Sequence, residues 1–319
     1  MKNLIDSMKW LIARGAIPVV LVALWMSSCV PGQAWAGETE LPEVAVIVSE
    51  PIRPYQEALS SLKEVLNKKK VQVMVFEMEG DGKGPTRDLK AAFSSRKYQI
   101  WVSIGPQATR FLWSGKVHSD IKRIYGMVLN PEEIIGDGCG VPMNIPIKEQ
   151  VRTIEGIFPE FRRIGILYDP KYNQDFVRVA SQEAAAQGTL IVPVAVSSQR
   201  EIRRVLGSSW TRIDAVWLIP DFTVISEPVV RYIIKEGLAN KTPIIGYNRF
   251  FFHSGAVMSF VLDYGRMGEQ MALLCLEVMA GRPCKSLPPF FEVWVNSRAL
   301  QILGLEIDEQ RLPNLKVMP

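Results

Sequence analysis

Histidine is scarce in this sequence, and the short motifs that mark many catalytic sites are missing. The 319 residues contain two histidines, His118 in a polar turn and His253 in a predicted hinge strand, and we interpret both as structural. There is no G-x-S-x-G, no H-E-x-x-H and no C-x-x-C motif, and no two carboxylates stand out as a catalytic pair. We therefore predict that the protein is not an enzyme and that it uses no metal ion or cofactor.

The apolar run at the amino terminus is too short to span a bilayer, for which about 20 residues are needed. This run, Ala16 to Met26, follows basic residues, and Ala34-Trp35-Ala36 is a small-x-small cleavage signal. We expect residues 1–36 to be a signal peptide that is cleaved near Ala36, which predicts an exported or periplasmic protein. A second interpretation stays open, because Met26-Ser27-Ser28-Cys29 resembles a lipoprotein box in which Cys29 would carry a lipid anchor.

The chain carries little excess charge. Its net charge is +4, and about half of that excess lies in the predicted signal peptide. The densest basic run, Lys68 to Lys70, falls where a helix is expected to end, and positive charge there complements the helix dipole. We therefore expect no nucleic-acid partner.

Cysteine is rare too. Outside the predicted signal peptide the chain has Cys139, Cys275 and Cys284, an odd number without metal-ligand spacing. A disulfide between Cys275 and Cys284 is possible in an exported protein, but the sequence alone does not establish it.

What the sequence does contain is a strand–helix unit that occurs twice. Val44 to Val48 is a short apolar run that ends in Ser49-Glu50-Pro51 and precedes apolar residues at helical spacing. Ile164 to Tyr168 is a run of the same kind, and Asp169-Pro170 ends it. The chain is 48% apolar and 22% charged, as globular proteins are, and it is long enough for two domains of roughly 100–200 residues. Two similar units in series predict two similar lobes.

Strands alternate with helices over short connections in both halves, which predicts an α/β fold with two doubly wound parallel-sheet lobes. Small molecules bind such sheets at the carboxyl ends of the strands. Two sheets that face one another across a cleft would place these residues on opposite sides of it: Ser49, Gly105 and Asn130 on one side, Asp169, Asp221 and Asn248 on the other.

The last part of the chain departs from this repeat. Ala256 to Leu262 is a predicted strand, Asp263 precedes a helix that starts at Tyr264, and Phe291 to Val295 is another strand. A chain that returns to the first lobe and then comes back would join the lobes by three hinge crossovers. We therefore expect two discontinuous lobes, the first from residues 43–145 plus 255–287 and the second from residues 146–252 plus 290–319.

Six stretches spread over the chain have the order and the character of one known family: SIGPQAT, MVLNP, FPEFRRIGILYDPKYN, DAVWLIPDFTVIS, GAVMSFVLDYGRMGEQMA and VNSRALQILGL. With these stretches the sequence resembles the exported substrate-binding proteins of ABC transporters, in the family that includes tryptophan- and tyrosine-type binders. The resemblance implies a two-lobed, hinged fold of the type I periplasmic binding protein kind. It also implies a small-molecule ligand and the membrane permease of an ABC transporter as partners, and we expect a monomer.

The resemblance further implies where the ligand binds. Carried over by position, the family's ligand contacts fall on strand ends and helix starts: Ser49, Glu50, Gly105, Pro106, Gln107, Asn130, Asn173, Asp221 and Asp263. The first lobe departs from the family twice, because many members have His where this chain has Ser49-Glu50-Pro51, and Asp-Pro where it has Asn130-Pro131. The ligand therefore need not be the amino acid that other members bind.

For most of these residues, a purely structural role is the alternative to a ligand contact. Asp221 could pair with a ligand ammonium or cap the following helix. The turn Gly105 to Gln107 could hold a carboxylate through its backbone N–H groups or serve only as a turn. Asn173 could reach the ligand or cap its helix, whereas we expect Asp263 to act as a helix cap.

Two further groups are weaker candidates. Glu50 is one, because an exposed loop carboxylate usually has no role. Aromatic residues at strand ends are the other, because such residues belong to the core more often than to a binding site. They are Tyr168, Phe222, Tyr247 and Phe250 to Phe252.

We therefore expect an exported solute-binding protein that closes two lobes around a small ligand and presents it to an ABC-type importer. An amino acid or a related small polar or aromatic molecule would suit such a cleft. The alternative is a ligand sensor with the same cleft that signals to a membrane partner, and the sequence does not separate the two. A cytoplasmic repressor of similar fold is not expected, because an export signal stands where a DNA-binding module would be.

Overall fold

The computed structural model describes residues 42–80, 84–114, 121–308 and 314–319. The predicted signal peptide of residues 1–36, with Cys29, lies outside these residues, and so does His118. The strands are β1 (Glu43–Val48), β2 (Gln72–Glu77), β3 (Ile100–Ile104), β4 (Lys122–Val128), β5 (Cys139–Pro142), β6 (Arg163–Tyr168), β7 (Leu190–Ala195), β8 (Ala215–Leu218), β9 (Ile244–Gly246), β10 (Met258–Leu262), β11 (Phe291–Asn296) and β12 (Leu315–Met318). The helices are α1 (Arg53–Lys68), α2 (Arg87–Ser94), α3 (Pro106–Trp113), α4 (Glu132–Ile135), α5 (Ile147–Ile157), α6 (Pro170–Ala185), α7 (Gln199–Gly207), α8 (Glu227–Ala239), α9 (Arg249–His253), α10 (Tyr264–Met279) and α11 (Ser297–Leu303).

The strands of the described residues form two sheets, one in each lobe. The first lobe has five strands in the order β2-β1-β3-β4-β5, and the second has seven in the order β12-β11-β10-β9-β8-β6-β7. Neighbouring strands pair in parallel, except that β10 and β11 are antiparallel. The prediction of an α/β fold with two parallel-sheet lobes is therefore confirmed.

Both faces of each central strand are covered, which explains the continuous apolar runs in the sequence. Along β1 the side chains alternate between two cores, with Val46 on one face and Ile47 on the other. Along β6, Ile166 and Leu167 do the same in the second lobe. A strand that is buried on both faces has no solvent side on which polar residues would alternate.

In the part of the chain that the structure describes, three connections join the two lobes. The first runs from β5 to α5, the second from β10 to α10 at Asp263, and the third from α10 back to β11. The second crossing lies later than expected, because β10 pairs with β9 in the second lobe, whereas the sequence analysis placed residues 255–262 in the first. His253 likewise lies in α9 and not in a hinge strand. Leu262 packs against the cores of both lobes, directly before the crossing.

A disulfide joins Cys139 to Cys284, with their Cα atoms 5.8 Å apart. The Cys275–Cys284 pairing considered from the sequence is therefore not formed, because Cys275 is a free, buried side chain of α10. The bridge holds the segment that follows α10 against β5, the edge strand of the first sheet. Leu287 N–H donates to the carbonyl of Gly140 at 3.0 Å, which continues the contact along this edge.

Candidate functional site

The carboxyl ends of β1 and β3 bring five of the predicted site residues together in the first lobe, namely Ser49, Glu50 and Gly105 to Gln107. Ser49 is buried, and its hydroxyl accepts a hydrogen bond from Ala108 N–H at 2.9 Å in the first turn of α3. Gln107 Nε2 donates to Glu50 Oε1 at 3.0 Å. Because parallel strands end at the same edge of a sheet, two loops that lie far apart in the sequence form one polar corner.

Gly105 is needed where these two loops meet. Its φ is +91°, a backbone conformation that side chains disfavour. A Cβ atom here would lie 2.7 Å from Ser49 Oγ and from the ring of Tyr55. Gly105 N–H also donates to the carbonyl of Gly126, and Pro106 has no N–H to donate. In the predicted anion-binding turn, the Gln107 N–H is therefore the backbone donor that has no partner among the described residues.

Asn130 connects the end of β4 to the first interlobe connection. Its N–H donates to Asn144 Oδ1 at 2.7 Å, and Asn144 Nδ2 donates to Asn130 Oδ1 at 2.6 Å. Asn130 Nδ2 in turn donates to Glu133 Oε1 at 3.0 Å. Both polar groups of this side chain therefore have partners in the protein, which indicates a hinge-bracing role in this conformation.

The second lobe has a buried carboxylate, Asp221, in the loop that follows β8. Its side chain is 1% exposed, and each oxygen accepts two hydrogen bonds. Oδ2 accepts from Asp169 N–H and from Asn173 Nδ2, both at 2.8 Å. Oδ1 accepts from Thr223 N–H at 2.9 Å and from Val224 N–H at 3.1 Å. With all four acceptor positions filled, this geometry favours a positioning role over the ammonium contact that the sequence analysis predicted.

The neighbouring carboxylate, Asp169, reinforces the same link between the loops after β6 and β8. It caps α6 by accepting from Lys171 N–H at 2.9 Å, and it accepts from the Thr223 hydroxyl at 2.7 Å. The Thr223 hydroxyl and then the Lys171 N–H hold the pKa of Asp169 below its ordinary value. Asn173 lies at a kink in α6 and donates to the carbonyl of Pro220 at 3.1 Å as well as to Asp221. These contacts hold the loop after β6 and the loop after β8 together.

Asp263 and Asn248 act locally as helix caps. Asp263 accepts from Arg266 N–H at 3.0 Å at the start of α10, as the sequence analysis expected. Asn248 accepts from Phe250 N–H at 2.9 Å at the start of α9. Each satisfies a backbone donor that the first turn of a helix leaves without a partner.

An exposed aromatic pair follows the ends of the same two strands, β6 and β8, in the second lobe. Phe222 is 82% exposed and Tyr172 is 49% exposed, and their rings meet edge to face with centroids 5.7 Å apart. The prediction that aromatic residues at strand ends belong to the core is wrong for Phe222. It holds for Tyr168 and Phe251, which are buried. Tyr172 is not among the residues that the sequence motifs predict for the site. The only signal for it is an aromatic residue in the first turn after the end of β6.

A separate cavity of about 390 Å³ lies at the opposite edge of the second sheet, below the amino ends of β6, β8 and β9. Its lining includes Trp210 and an ion pair of Arg163 and Asp214, whose N–O distance is 2.7 Å. None of the predicted site residues lines this cavity.

Two other kinds of feature are missing from the described part of the chain. No helix there has the length and the apolar character needed to cross a membrane. Within the same residues, no group of three or more His, Cys, Asp or Glu side chains is placed to hold a metal ion.

Comparison with known proteins supports the resemblance that the sequence motifs suggest. The model of a family described as ABC transporter substrate binding protein matches residues 131–314. A tyrosine-binding protein of Clostridioides difficile (strain R20291) is 23% identical over 188 residues, which are 57% of this chain and 54% of that protein. The chain therefore spans about half the length of this curated relative.

Two solved structures share the fold. A ligand-free, open substrate-binding protein with adhesive properties from Clostridium difficile has a TM-score of 0.73 at 15% identity, covering 87% of this chain and 99% of that chain. An ABC domain from Streptococcus pneumoniae in complex with L-Trp has a TM-score of 0.56 at 19% identity, covering 87% of this chain and all of that chain. At such low identity the likeness establishes the two-lobed architecture.

Proposed function

Because the chain belongs to the family of ABC transporter substrate-binding proteins, we propose that it holds one small solute between its two lobes and delivers it to the membrane permease of an importer. The observation that supports this most is the pair of strand-end surfaces, one in each lobe, with three connections between the lobes in the described residues. A ligand that contacts both surfaces binds the closed form better than the open form, and this difference in affinity drives closure.

The ligand that fits best is an amino acid with an aromatic side chain. The exposed rings of Tyr172 and Phe222 offer an edge-to-face or stacked contact to a planar group. The names of a tyrosine-binding relative and of an L-Trp complex with the same fold support this choice. Burying the Phe222 ring, which is now in water, would favour the bound state.

Export belongs to the same proposal. We propose that residues 1–36 direct the chain to the periplasm or the cell surface and are cleaved near Ala36, with lipid attachment at Cys29 as the other outcome. The Cys139–Cys284 disulfide supports an oxidising compartment. Intact mass of the exported protein distinguishes the two, because a lipid on Cys29 retains residues 29–36 and adds acyl mass.

A thermal-shift screen of the purified protein against the twenty L-amino acids tests the ligand class, because selective binding stabilises the folded state. We expect L-tyrosine or L-tryptophan to raise the Tm most. If no amino acid raises it and none binds in calorimetry, the proposed ligand class is wrong. Uptake of the same amino acid into vesicles that contain the cognate permease, with and without the binding protein, then tests the transport role.

A further inference from the structure

Four lysines without an acidic partner lie at one end of the first lobe. They are Lys69 and Lys70 after α1, Lys122 at the start of β4, and Lys285 in the segment that follows α10. All four residues are exposed, and none forms an ion pair with a carboxylate in the described part of the chain. Their charges are therefore available to another molecule.

Backbone contacts place Lys69 and Lys70 at the edge of the first sheet that the amino ends of its strands form. The two residues lie between α1 and β2. Gln72, the first residue of β2, donates its N–H to the carbonyl of Pro42, directly before β1, at 2.9 Å. Lys70 is therefore two residues from the point where β2 begins to pair with β1.

The other two lysines lie along the same edge. Lys122 N–H donates to the carbonyl of Gln99, directly before β3, at 2.9 Å. Lys285 follows Cys284, which forms the disulfide with Cys139, the first residue of β5. Because neighbouring strands of a sheet lie about 4.8 Å apart, the starts of β2 to β5 span about 20 Å. We call the surface that carries the four lysines the amino-edge surface.

The acidic residues at this edge do not cancel the four lysines. Glu43, at the start of β1, pairs with Lys97 at an N–O distance of 2.9 Å. Glu64, on α1, pairs with Lys68 at 2.7 Å. Asp137, two residues before β5, is exposed and forms no ion pair with a described residue. The four lysines without an acidic partner outnumber this carboxylate, so the amino-edge surface carries a positive charge at neutral pH.

The dipole of α1 does not account for the whole amino-edge surface. Basic residues near the end of a helix complement its dipole, which explains the run from Lys68 to Lys70. Lys122 lies in a strand, and Lys285 lies beyond the end of α10 in the segment that the disulfide holds. The four lysines therefore share a place in the fold and not a helix end.

The chain enters the first lobe at the same edge. Pro42 is the first described residue and leads directly into β1, so the segment before it joins the lobe here and not at the strand-end surface. The sequence predicts that this segment directs export, with cleavage near Ala36 or a lipid on Cys29. An export signal enters the membrane before it is processed, and it is joined to this edge. The headgroups of that membrane are therefore the anionic partner that fits the amino-edge surface best.

We propose that the amino-edge surface binds the anionic phospholipids of a membrane. A lysine near an anionic bilayer strengthens binding by about fivefold. At physiological salt this attraction extends over about 8 Å, so it requires the surface to lie against the headgroups. The strand-end surface lies at the opposite edge of the same sheet and stays accessible. This inference goes beyond the proposed function, because it concerns the membrane and not the solute.

Vesicle co-sedimentation tests the amino-edge surface without any solute. Every protein in the series carries Cys29→Ser, so that no acyl chain can contribute to binding. Vesicles of phosphatidylcholine alone are compared with vesicles of equal parts phosphatidylcholine and phosphatidylglycerol, at low and at high NaCl concentration. The edge variant combines Lys69→Gln, Lys70→Gln and Lys122→Gln, and it leaves Lys285 unchanged because that residue adjoins the disulfide.

The matched control combines Lys148→Gln, Lys235→Gln and Lys241→Gln, all in the second lobe. These lysines are also exposed, and they form no ion pair with a described residue. Lys241 matches Lys70 in its backbone conformation, because their φ angles are +54° and +58°. The two variants therefore lose the same charge from different parts of the molecule.

We expect the wild-type lysines to hold the protein on the mixed vesicles at low salt, with binding lost at high salt and absent from phosphatidylcholine alone. The edge variant should bind the mixed vesicles about 100-fold more weakly, whereas the control should bind them as the wild type does. If circular dichroism shows that the edge variant does not fold, Lys122→Gln alone should weaken binding by about fivefold.

Three results would overturn the proposal. An equal loss in both variants would mean that net charge alone explains the binding. Wild-type protein that binds both kinds of vesicle equally, or neither, would exclude anionic lipid as the partner. A dimer in analytical ultracentrifugation that only the edge variant loses, without vesicle binding, would assign the amino-edge surface to a second copy of the chain. The assay contains no amino acid, so none of these results would count against the proposed solute binding.

Discussion

Replacing Asp221 by Asn distinguishes a positioning role from a direct ligand contact. The carboxylate is buried and accepts four hydrogen bonds, two at each oxygen. An Asn amide retains one oxygen, and its NH₂ group then faces two donors whichever way it is turned. Hydrogen bonds to a charged group contribute about 1.5–3 kcal/mol each, and neighbouring contributions do not simply add, so we expect a loss of about 3 kcal/mol.

This loss is measured on the protein without ligand. For a chain of this size, about 3 kcal/mol corresponds to a Tm lower by about 6–12 °C in calorimetry. Asp263→Asn is the matched control, because Asp263 caps α10 through one backbone bond and Asn caps helices equally well. We expect its Tm to stay within about 2 °C of the wild type. A ligand-free Asp221→Asn with wild-type Tm but lost affinity would refute the positioning role and restore Asp221 as the ammonium contact.

Three further predictions follow from other parts of the structure. Phe222→Ser should leave the Tm nearly unchanged, because the ring is 82% exposed, but should weaken L-tyrosine or L-tryptophan binding by about tenfold in calorimetry; unchanged affinity would exclude the ring from the site. Cys139→Ser with Cys284→Ser should lower stability by about 2–5 kcal/mol in denaturant titration, matching the wild type under reductant, whereas wild-type stability in the double variant would show that the bridge contributes nothing. Burial raises the pKa of Glu155, whose carboxylate oxygens have no hydrogen-bond partner among the described residues, so its folded form binds the proton more tightly than its unfolded form. The contribution of Glu155 to the free energy of unfolding is therefore present below its ordinary pKa and is lost as the pH rises from there through its folded pKa. Glu155→Gln should raise the Tm at pH 7 more than at pH 4, and an equal change at both pH values would contradict this.

The repeating strand–helix plan was predictable because its signals are local. The run Val44–Val48 and its counterpart Ile164–Tyr168 are apolar throughout, and a strand covered on both faces requires this. The sheet to which β10 belongs was not predictable in the same way. Its sequence specifies a strand, but its partner β9 is chosen by tertiary packing, so the expected lobe boundary fell before this strand.

The disulfide shows the same limit of local reasoning. Its cysteines are separated by 145 positions, and Cys284 has another cysteine, Cys275, only a short distance before it in the sequence. The choice between them depends on the direction in which α10 buries its side chains. Cys275 faces the core of the first lobe and is thereby removed from pairing.

The candidate site was predictable in position but not in chemistry. Residues at strand ends come together because parallel strands share an edge, so Ser49, Glu50 and Gln107 meet as the sequence suggests. Whether a carboxylate there is free or occupied depends on neighbours from other loops. Asp221 has four donors around it, whereas Glu50, the weaker candidate from the sequence, keeps one oxygen free.

A crystal structure of the protein with the amino acid that raises its Tm most tests the central claim most directly. We predict ligand density between the two strand-end surfaces, touching Glu50 in the first lobe and Phe222 in the second. Phe222 should be buried there, whereas its side chain is 82% exposed in the present structure. Density in the cavity beside Trp210 at the far edge of the second sheet, with the strand-end surfaces empty, would contradict the account.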